Sequence, residues 1–152
     1  LRDVYKRQVM ADFHGKDLRL TLDRAVPDII KINEEEFCGT FGFALPLPEE
    51  ELAACLARKS AELGCTIVVT RGSKETYAAS RGEGFRHPVN AVTALNAIGC
   101  GDSFTAGFLH SWLEDRDTAK ALAKGSWCAT RNALNLRPGS ILDADAEGEQ
   151  LW

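Results

Sequence analysis

A glycine-rich turn that ends in an acidic residue, Gly99-Cys100-Gly101-Asp102, contains the residue types best suited to chemistry. Two glycines allow the backbone to adopt positive φ angles and to approach a ligand closely. Apolar residues at helical spacing then predict a helix over residues 102–114, and the first amides of a helix lack internal partners and carry a partial positive charge. The turn therefore predicts an anion site suited to a phosphate group.

Asp102 would lie in the first turn of that helix, where the helix dipole favours an acidic side chain. A carboxylate beside a phosphate site repels the bound anion unless it has a task of its own. Accepting the proton of an attacking hydroxyl is such a task. The alternative is a plain helix N-cap, and the four residues alone do not separate the two interpretations. The chain contains neither a Walker A motif nor a Rossmann G-x-G-x-x-G after a strand.

The rest of the chain predicts the elements that would hold this site. Apolar and β-branched runs predict buried strands, and apolar residues three and four apart predict helices. We expect strands over residues 28–32, 66–70 and 75–80, extended chain over 82–95, a helical turn over 33–37, and helices over 49–63, 102–114 and 117–134. This mixture predicts an α/β domain with a layered sheet.

Composition excludes several classes of protein. The formal net charge of -4 argues against a nucleic-acid binder, and no apolar run approaches the roughly 20 residues that span a membrane. The five cysteines are scattered and form no C-x-x-C pair, which argues against a zinc site or a disulfide framework and favours free thiols in a reducing cytoplasm. A G-D-S-type esterase is excluded because that family needs a later His, and no His follows His110.

Residues 99–107, with the sequence GCGDSFTAG, resemble the second signature of the ribokinase/PfkB family of carbohydrate kinases, G-[AS]-G-D-[ST]-x-x-A-G. The resemblance implies that Gly99, Cys100 and Gly101 form the anion hole for the transferred phosphoryl group, and that Asp102 deprotonates the acceptor hydroxyl. Cys100 stands where the family has Ala or Ser, and we expect it to contribute only its backbone amide.

The residues before this signature resemble one branch of the family. Asn96-Ala97 stand where the common family form has Asp-Thr, and this favours the 1-phosphofructokinase and tagatose-6-phosphate kinase branch. Residues 31–36, KINEEE, resemble the family's K-P-N-x-x-E, which implies that Asn33 and Glu36 act near Mg²⁺ and the phosphates through water. Oxygen ligands that retain waters suit Mg²⁺. The alternative is a helix N-terminus with an acidic first turn.

Two further segments resemble nucleotide-binding parts of the family. Thr70 and Gly72 match a T-x-G at the end of the strand that lies against the nucleotide, with Arg71 in place of an apolar residue. A simple strand and hairpin is the alternative. Residues Arg137-Pro138-Gly139-Ser140 resemble the turn that closes over the adenine, and residues 12–15, DFHG, resemble a D-x-x-G that follows an earlier strand.

The resemblance implies a ribokinase-like α/β fold, a layered sheet with helices on both faces, truncated at its N-terminal side. Residues 9–152 would be the C-terminal nucleotide-binding part, and residues 1–8 resemble translated adapter sequence, so we expect a non-native leader and a gene that continues upstream. The sugar-binding G-G-x-x-x-N motif is absent from the sequence. ATP and Mg²⁺ are the implied cofactors.

The implied reaction is ATP-dependent phosphoryl transfer to a hydroxyl of a sugar or sugar phosphate in the cytoplasm. A homodimer of the complete protein is compatible with the resemblance, and we expect no nucleic-acid or membrane partner. A nucleotide-binding module without catalysis is the alternative, because the sequence shows no acceptor site.

Overall fold

The computed structural model describes residues 8–90 and 92–141. Within these ranges the chain divides after Pro88 into two units. In residues 8–88 the first unit contains strands β1 (Met10–Ala11), β2 (Ile29–Asn33), β3 (Thr66–Thr70), β4 (Thr76–Ser80) and β5 (Glu83–His87), and helices α1 (Gly15–Leu22), α2 (Glu34–Phe41) and α3 (Glu49–Leu63). In the described part of the second unit lie helices α4 (Cys100–Asp115) and α5 (Thr118–Ala133).

The sheet of the first unit follows the order of the chain, β1-β2-β3-β4-β5. Strands β1, β2 and β3 run parallel, and β4 and β5 return antiparallel through short turns. Parallel strands need a crossover, and here the crossovers contain the three helices. Asn33 and Thr70 are register partners, so the parallel arrangement places the carboxyl ends of β2 and β3 side by side.

Alternate strand residues and one stripe of each helix form the core of the first unit. Each fully buried Leu, Ile or Phe contributes about 1.5–3 kcal/mol relative to an exposed one. The large, fully buried members of this core are Leu18, Ile30, Ile32, Phe37, Leu52, Leu56, Ile67 and Val69. This core fixes the ends of β2 and β3, from which the predicted Asn33 and Thr70 project.

Helix α3 and strand β3 have the predicted bounds, and β2 and β4 each differ by one residue. The predicted turn over residues 33–37 is the start of a longer helix, α2, which ends where Gly42 adopts a left-handed conformation with φ 77. Strand β1 is the strand that the D-x-x-G resemblance implied before Asp12, whereas helix α1 was not predicted. Helix α1 has eight residues and a single buried one, Leu18, so it offers too short a pattern to recognise.

Helices α4 and α5 of the second unit form a close-packed hairpin. A Cβ on Gly107 would lie 2.6 Å from Cys128 Sγ, and a Cβ on Gly125 would lie 3.0 Å from the backbone oxygen of Phe104. Small residues are therefore required where the helices touch. Helix α4 begins at Cys100, two residues earlier than predicted.

Candidate active site

The glycine-rich turn is the start of helix α4. Gly99 is the N-cap residue with φ 81, in the left-handed region that favours glycine, and no side chain caps the helix. Gly101 is helical, so only the first of the two glycines adopts positive φ. The amide of Cys100 donates to Ala97 O at 3.3 Å. The amides of Gly101 and Asp102 have no acceptor within residues 8–90 and 92–141.

Asp102 is the third residue of helix α4 and is exposed. Its carboxylate has no hydrogen-bond or ion-pair partner in the described part of the chain. Because Gly99 occupies the N-cap position, the interpretation of Asp102 as a plain N-cap is wrong. The N-terminus of α4 therefore presents two unused amides and one unengaged carboxylate.

Asn132, in the last turn of α5, joins this turn to the predicted adenine turn. Its Nδ2 donates to Ile98 O at 2.8 Å, and its Oδ1 accepts the amide of Gly139 at 2.6 Å. A Cβ on Gly99 would lie 3.2 Å from Pro138 Cβ, so the two turns are in direct contact. Sequence analysis did not identify Asn132. The available signal was an amide side chain at helical spacing from three small residues of the predicted helix, Ala121, Gly125 and Ala129.

The predicted turn over residues 137–140 forms as expected. Ser140 donates its amide to Arg137 O at 3.2 Å, and Gly139 adopts φ 78. Asn96 also connects the segment before Gly99 to the segment before Arg137. Its Nδ2 donates to Leu136 O at 2.9 Å, and its Oδ1 accepts the amide of Ile98. The second unit thus brings the predicted residues Gly99, Cys100, Gly101, Asp102, Pro138 and Gly139 together.

In the first unit, Asn33 and Glu36 form a reciprocal capping box at the start of α2. Asn33 Oδ1 accepts the amide of Glu36 at 2.8 Å, and Glu36 Oε2 accepts the amide of Asn33 at 2.9 Å. Glu36 Oε1 lies 3.5 Å from His14 Nε2. Within the described residues no group of three or more His, Cys, Asp or Glu side chains could hold a metal ion. These oxygens fit an indirect contact with a hydrated ion better than a direct cage.

Thr70 ends strand β3 beside Asn33, and Gly72 follows in the turn with φ 63. The first unit therefore brings Asn33, Glu36 and Thr70 to one edge of its sheet, with Gly72 next to them along the chain. Asp12 lies at the end of the neighbouring β1, where its carboxylate accepts hydrogen bonds from the buried Lys31 at 3.1 and 3.2 Å.

Arg71 stands where the family has an apolar residue, and its side chain bridges the N-termini of helices α2 and α3. Its side chain is only 5% exposed and forms 3.0 Å ion pairs with Glu34 of α2 and Glu49 of α3. The guanidinium also lies 5.6 Å from the ring centre of Tyr77. Burial opposes the charge of Arg71, but the hydrogen bonds to both glutamates outweigh it and raise its pKa above the ordinary value. Sequence analysis did not predict this arrangement.

Solved structures share this fold. Phosphofructokinase-2 from Escherichia coli in complex with potassium matches with a TM-score of 0.80 and 16% identity over 88% of this chain and 44% of that one. A fructokinase double mutant from Vibrio cholerae O395, in a form bound to fructose, ADP and potassium ion, matches with a TM-score of 0.62 and 25% identity over 79% of this chain and 39% of that one. The predicted ribokinase-like α/β class is confirmed.

Residues 4–143 match the model of the pfkB family of carbohydrate kinases, and the chain belongs to this family. A fructokinase from Klebsiella pneumoniae is 36% identical over 62% of this chain and 30% of its own length. A fructoselysine 6-kinase from Shigella flexneri is 34% identical over 60% of this chain and 35% of its own length. The chain spans about a third of the length of these relatives. Among the described residues, no helix has the length and apolar character to cross a membrane.

Proposed function

We propose that this chain carries the phosphoryl-transfer site of an ATP-dependent kinase that acts on a hydroxyl of a sugar or sugar phosphate. Asp102 is the catalytic base, and the turn from Gly99 to Gly101 is the anion hole. The observation that carries the proposal is the bare N-terminus of α4. It combines an N-cap without a side chain, two amides without acceptors in the described chain, and an exposed, unengaged carboxylate.

The anion hole follows from the backbone at this turn. The free amides of Gly101 and Asp102 can donate to phosphoryl oxygens, and the helix dipole adds about 0.3–1 kcal/mol for a negative charge at this end. Gly99 has no side chain to take up these donors. Cys100 can contribute its own amide, because the present 3.3 Å hydrogen bond to Ala97 O is long.

The chemistry requires one proton acceptor. As the acceptor hydroxyl oxygen bonds to the γ-phosphorus of ATP, the O–H proton passes to the Asp102 carboxylate and ADP leaves with the electrons of the broken P–O bond. A general base in this position typically contributes roughly 10²- to 10⁴-fold in rate. The carboxylate is suited to the task because nothing in the described chain engages it.

The nucleotide contacts are carried over from the family motifs. We assign Thr70, Gly72, Pro138 and Gly139 to ATP, and Asn33 with Glu36 to the Mg²⁺ that accompanies its phosphates. Mg²⁺ would neutralise charge on the phosphates during transfer. Supporting this role, Glu36 Oε1 is not used by the capping box.

Names of similar proteins favour a fructose derivative as the acceptor. The relatives above 30% identity include a fructokinase, two fructoselysine 6-kinases and an ATP-dependent ribose-1-phosphate kinase, so the names with fructose outnumber the one with ribose. We therefore propose a free, substituted or phosphorylated fructose. A second candidate is a nucleotide-binding module without catalysis, because no residues of the given sequence resemble the family's G-G-x-x-x-N sugar-binding motif.

The test separates these two functions. Calorimetry with ATP and Mg²⁺ on the folded chain measures nucleotide binding, and ADP release by the complete gene product with fructose, fructose phosphates and fructoselysine measures transfer. Binding together with sugar-dependent ADP release supports the kinase. Binding without ADP release from any acceptor supports the binding module, and no heat at millimolar ATP contradicts both.

A further inference from the structure

Asn132 uses its whole hydrogen-bonding capacity inside the second unit. It is fully buried, and an amide side chain has two N–H donors and two acceptor lone pairs. Nδ2 donates to Ile98 O at 2.8 Å and to Cys100 Sγ at 3.2 Å, while Oδ1 accepts from Gly139 N at 2.6 Å and from Ser103 Oγ at 3.3 Å. All four positions are therefore filled.

The backbone fixes the orientation of this amide. Ile98 O can only accept a hydrogen bond, and the amide of Gly139 can only donate one. A flipped amide would place oxygen against oxygen and nitrogen against nitrogen, at the cost of two buried bonds. Asn132 is thus locked in one rotamer by groups on two different segments.

Those two segments carry the parts of the proposed site in this unit. Ile98 directly precedes the N-cap Gly99, and Gly139 belongs to the turn assigned to the nucleotide. Gly99 also touches Pro138, since a Cβ there would lie 3.2 Å from Pro138 Cβ. A displacement of either turn is therefore transmitted to the other through the rigid side chain of Asn132 as well as through this contact.

We propose that Asn132 is the positioning residue that couples nucleotide binding at the Arg137–Gly139 turn to the geometry of the Gly99–Asp102 anion hole. The inference rests on the proposed function and deepens it. Asn132 acts through the backbone of Ile98 and Gly139 and contacts neither phosphate nor sugar. When ATP orders the Gly139 turn, the same amide holds the anion hole in the arrangement that phosphoryl transfer needs.

The test uses Asn132→Leu, which keeps the branched shape and the number of side-chain heavy atoms and removes all four hydrogen bonds. In the complete gene product, kcat should fall on the order of 10²-fold, the cost of misplacing reacting groups by about 1 Å. The KM for ATP should rise about 3- to 10-fold, as expected for a lost hydrogen bond, while the KM for sugar stays unchanged. A merely structural role would lower the active fraction and leave the KM for ATP as it was, which would overturn the proposal.

A matched control comes from the next amide along the chain. Asn135 donates its Nδ2 to Arg131 O at 2.8 Å, at the end of α5. Asn135→Ala should leave both KM values and kcat within about threefold of the wild type, because a local side-chain hydrogen bond is worth about 1 kcal/mol of stability. If Asn132→Leu and Asn135→Ala changed kcat and the KM for ATP equally, both effects would come from a general disturbance of the end of α5. That result would contradict a specific coupling through Asn132.

A third measurement needs neither variant nor activity. Gly139 is exposed, yet its amide donates to buried Asn132, so hydrogen exchange in the wild-type protein should find this amide protected and further slowed by ATP. Exchange at the rate of a free surface amide overturns the coupling even if Asn132→Leu fails to fold. If the Gly139 amide is protected but no sugar-dependent ADP release is found, the hydrogen bond between Gly139 and Asn132 is supported and the proposed kinase function is contradicted.

Discussion

The N-termini of helices α2 and α4 differ in how their amides are satisfied. Helix α2 is closed by its own side chains, because Asn33 and Glu36 exchange hydrogen bonds in a capping box. Helix α4 starts at a glycine with no side-chain cap and keeps two amides without acceptors in the described chain. A helix start after a turn is therefore insufficient evidence for an anion site. The missing cap distinguishes the end that can receive a phosphate.

Charge strengthens this contrast. The first turn of α2 contains three glutamates, Glu34, Glu35 and Glu36, whereas the first turn of α4 contains one acid, Asp102. Arg71 neutralises part of the α2 cluster through Glu34 but leaves the Glu36 carboxylate facing His14. The α2 end suits a hydrated cation, and the α4 end suits an anion with one carboxylate beside it.

The largest expected effect follows the loss of the unengaged carboxylate of α4. In the complete gene product, Asp102→Asn should lower kcat roughly 10²- to 10⁴-fold, because Asn keeps the size of Asp but cannot accept the proton. ATP binding measured by calorimetry should change little. The loss of a negative charge from the first turn of α4 would by itself alter stability by only about 0.3–1 kcal/mol. Turnover within about threefold of wild type at saturating ATP and sugar would remove Asp102 as the base.

A second change adds a side chain to the bare start of α4. Gly99→Ala places a methyl group 3.2 Å from Pro138 Cβ and 3.4 Å from Asn132 Oδ1, at a residue with φ 81. We expect a loss of about 1–3 kcal/mol in the free energy of unfolding, measured by urea denaturation. In the complete gene product, kcat should fall on the order of 10²-fold.

Gly39 is the matched control for that change, because it lies inside α2 and its Cβ would meet nothing within 4 Å. Gly39→Ala should stabilise the protein by about 0.5–1 kcal/mol, since Ala has the higher helix propensity, and should leave turnover unchanged. If both substitutions changed the free energy of unfolding in the same direction, the distinction between the two glycines would be contradicted.

A smaller effect is expected at the capped end of α2. Glu36→Gln preserves the capping box, because the amide oxygen of Gln can accept the amide of Asn33, but it removes the charge. The Mg²⁺ concentration needed for half-maximal rate should rise roughly 10-fold, the lower range for losing an indirect metal contact. Thermal unfolding serves as the control and should be nearly unchanged. An unaltered Mg²⁺ dependence would exclude the proposed role of Glu36.

The sequence predicted what depends on neighbouring residues and missed what depends on distant ones. Helix α3 is defined by a regular apolar spacing between Pro48 and Gly64, and its bounds were predicted correctly. The roles of Asn132 and Arg71 depend on partners 34 and 37 residues away, Ile98 and Glu34. No local pattern contains such pairings. The family signature identified the backbone of the candidate site, but not the side chains that hold it.

Alkaline pH should produce the smallest effect, confined to stability and arising in the first unit. Burial, with a contribution from the charge of Asp28, raises the pKa of the Cys65 thiol from 9.0 to about 11. Between these values the unfolded chain has lost the thiol proton while the folded chain still holds it, so the folded state binds more protons. The contribution of this thiol is therefore complete below pH 9 and is lost as the pH rises towards 11.

Urea denaturation at a series of pH values, with a reducing agent present, measures this loss. The free energy of unfolding of Cys65→Ala should decline less steeply than that of the wild type between pH 9 and about 11, because the substitution removes the titrating thiol. Below pH 8.5 the two proteins should differ by a constant amount, which is the cost of the smaller side chain and serves as the internal control. Parallel curves through the whole range would mean that Cys65 titrates alike in both states. The proposed anion hole and base would be unaffected by that outcome, because Gly99 to Asp102 belong to the second unit and Cys65 belongs to the first.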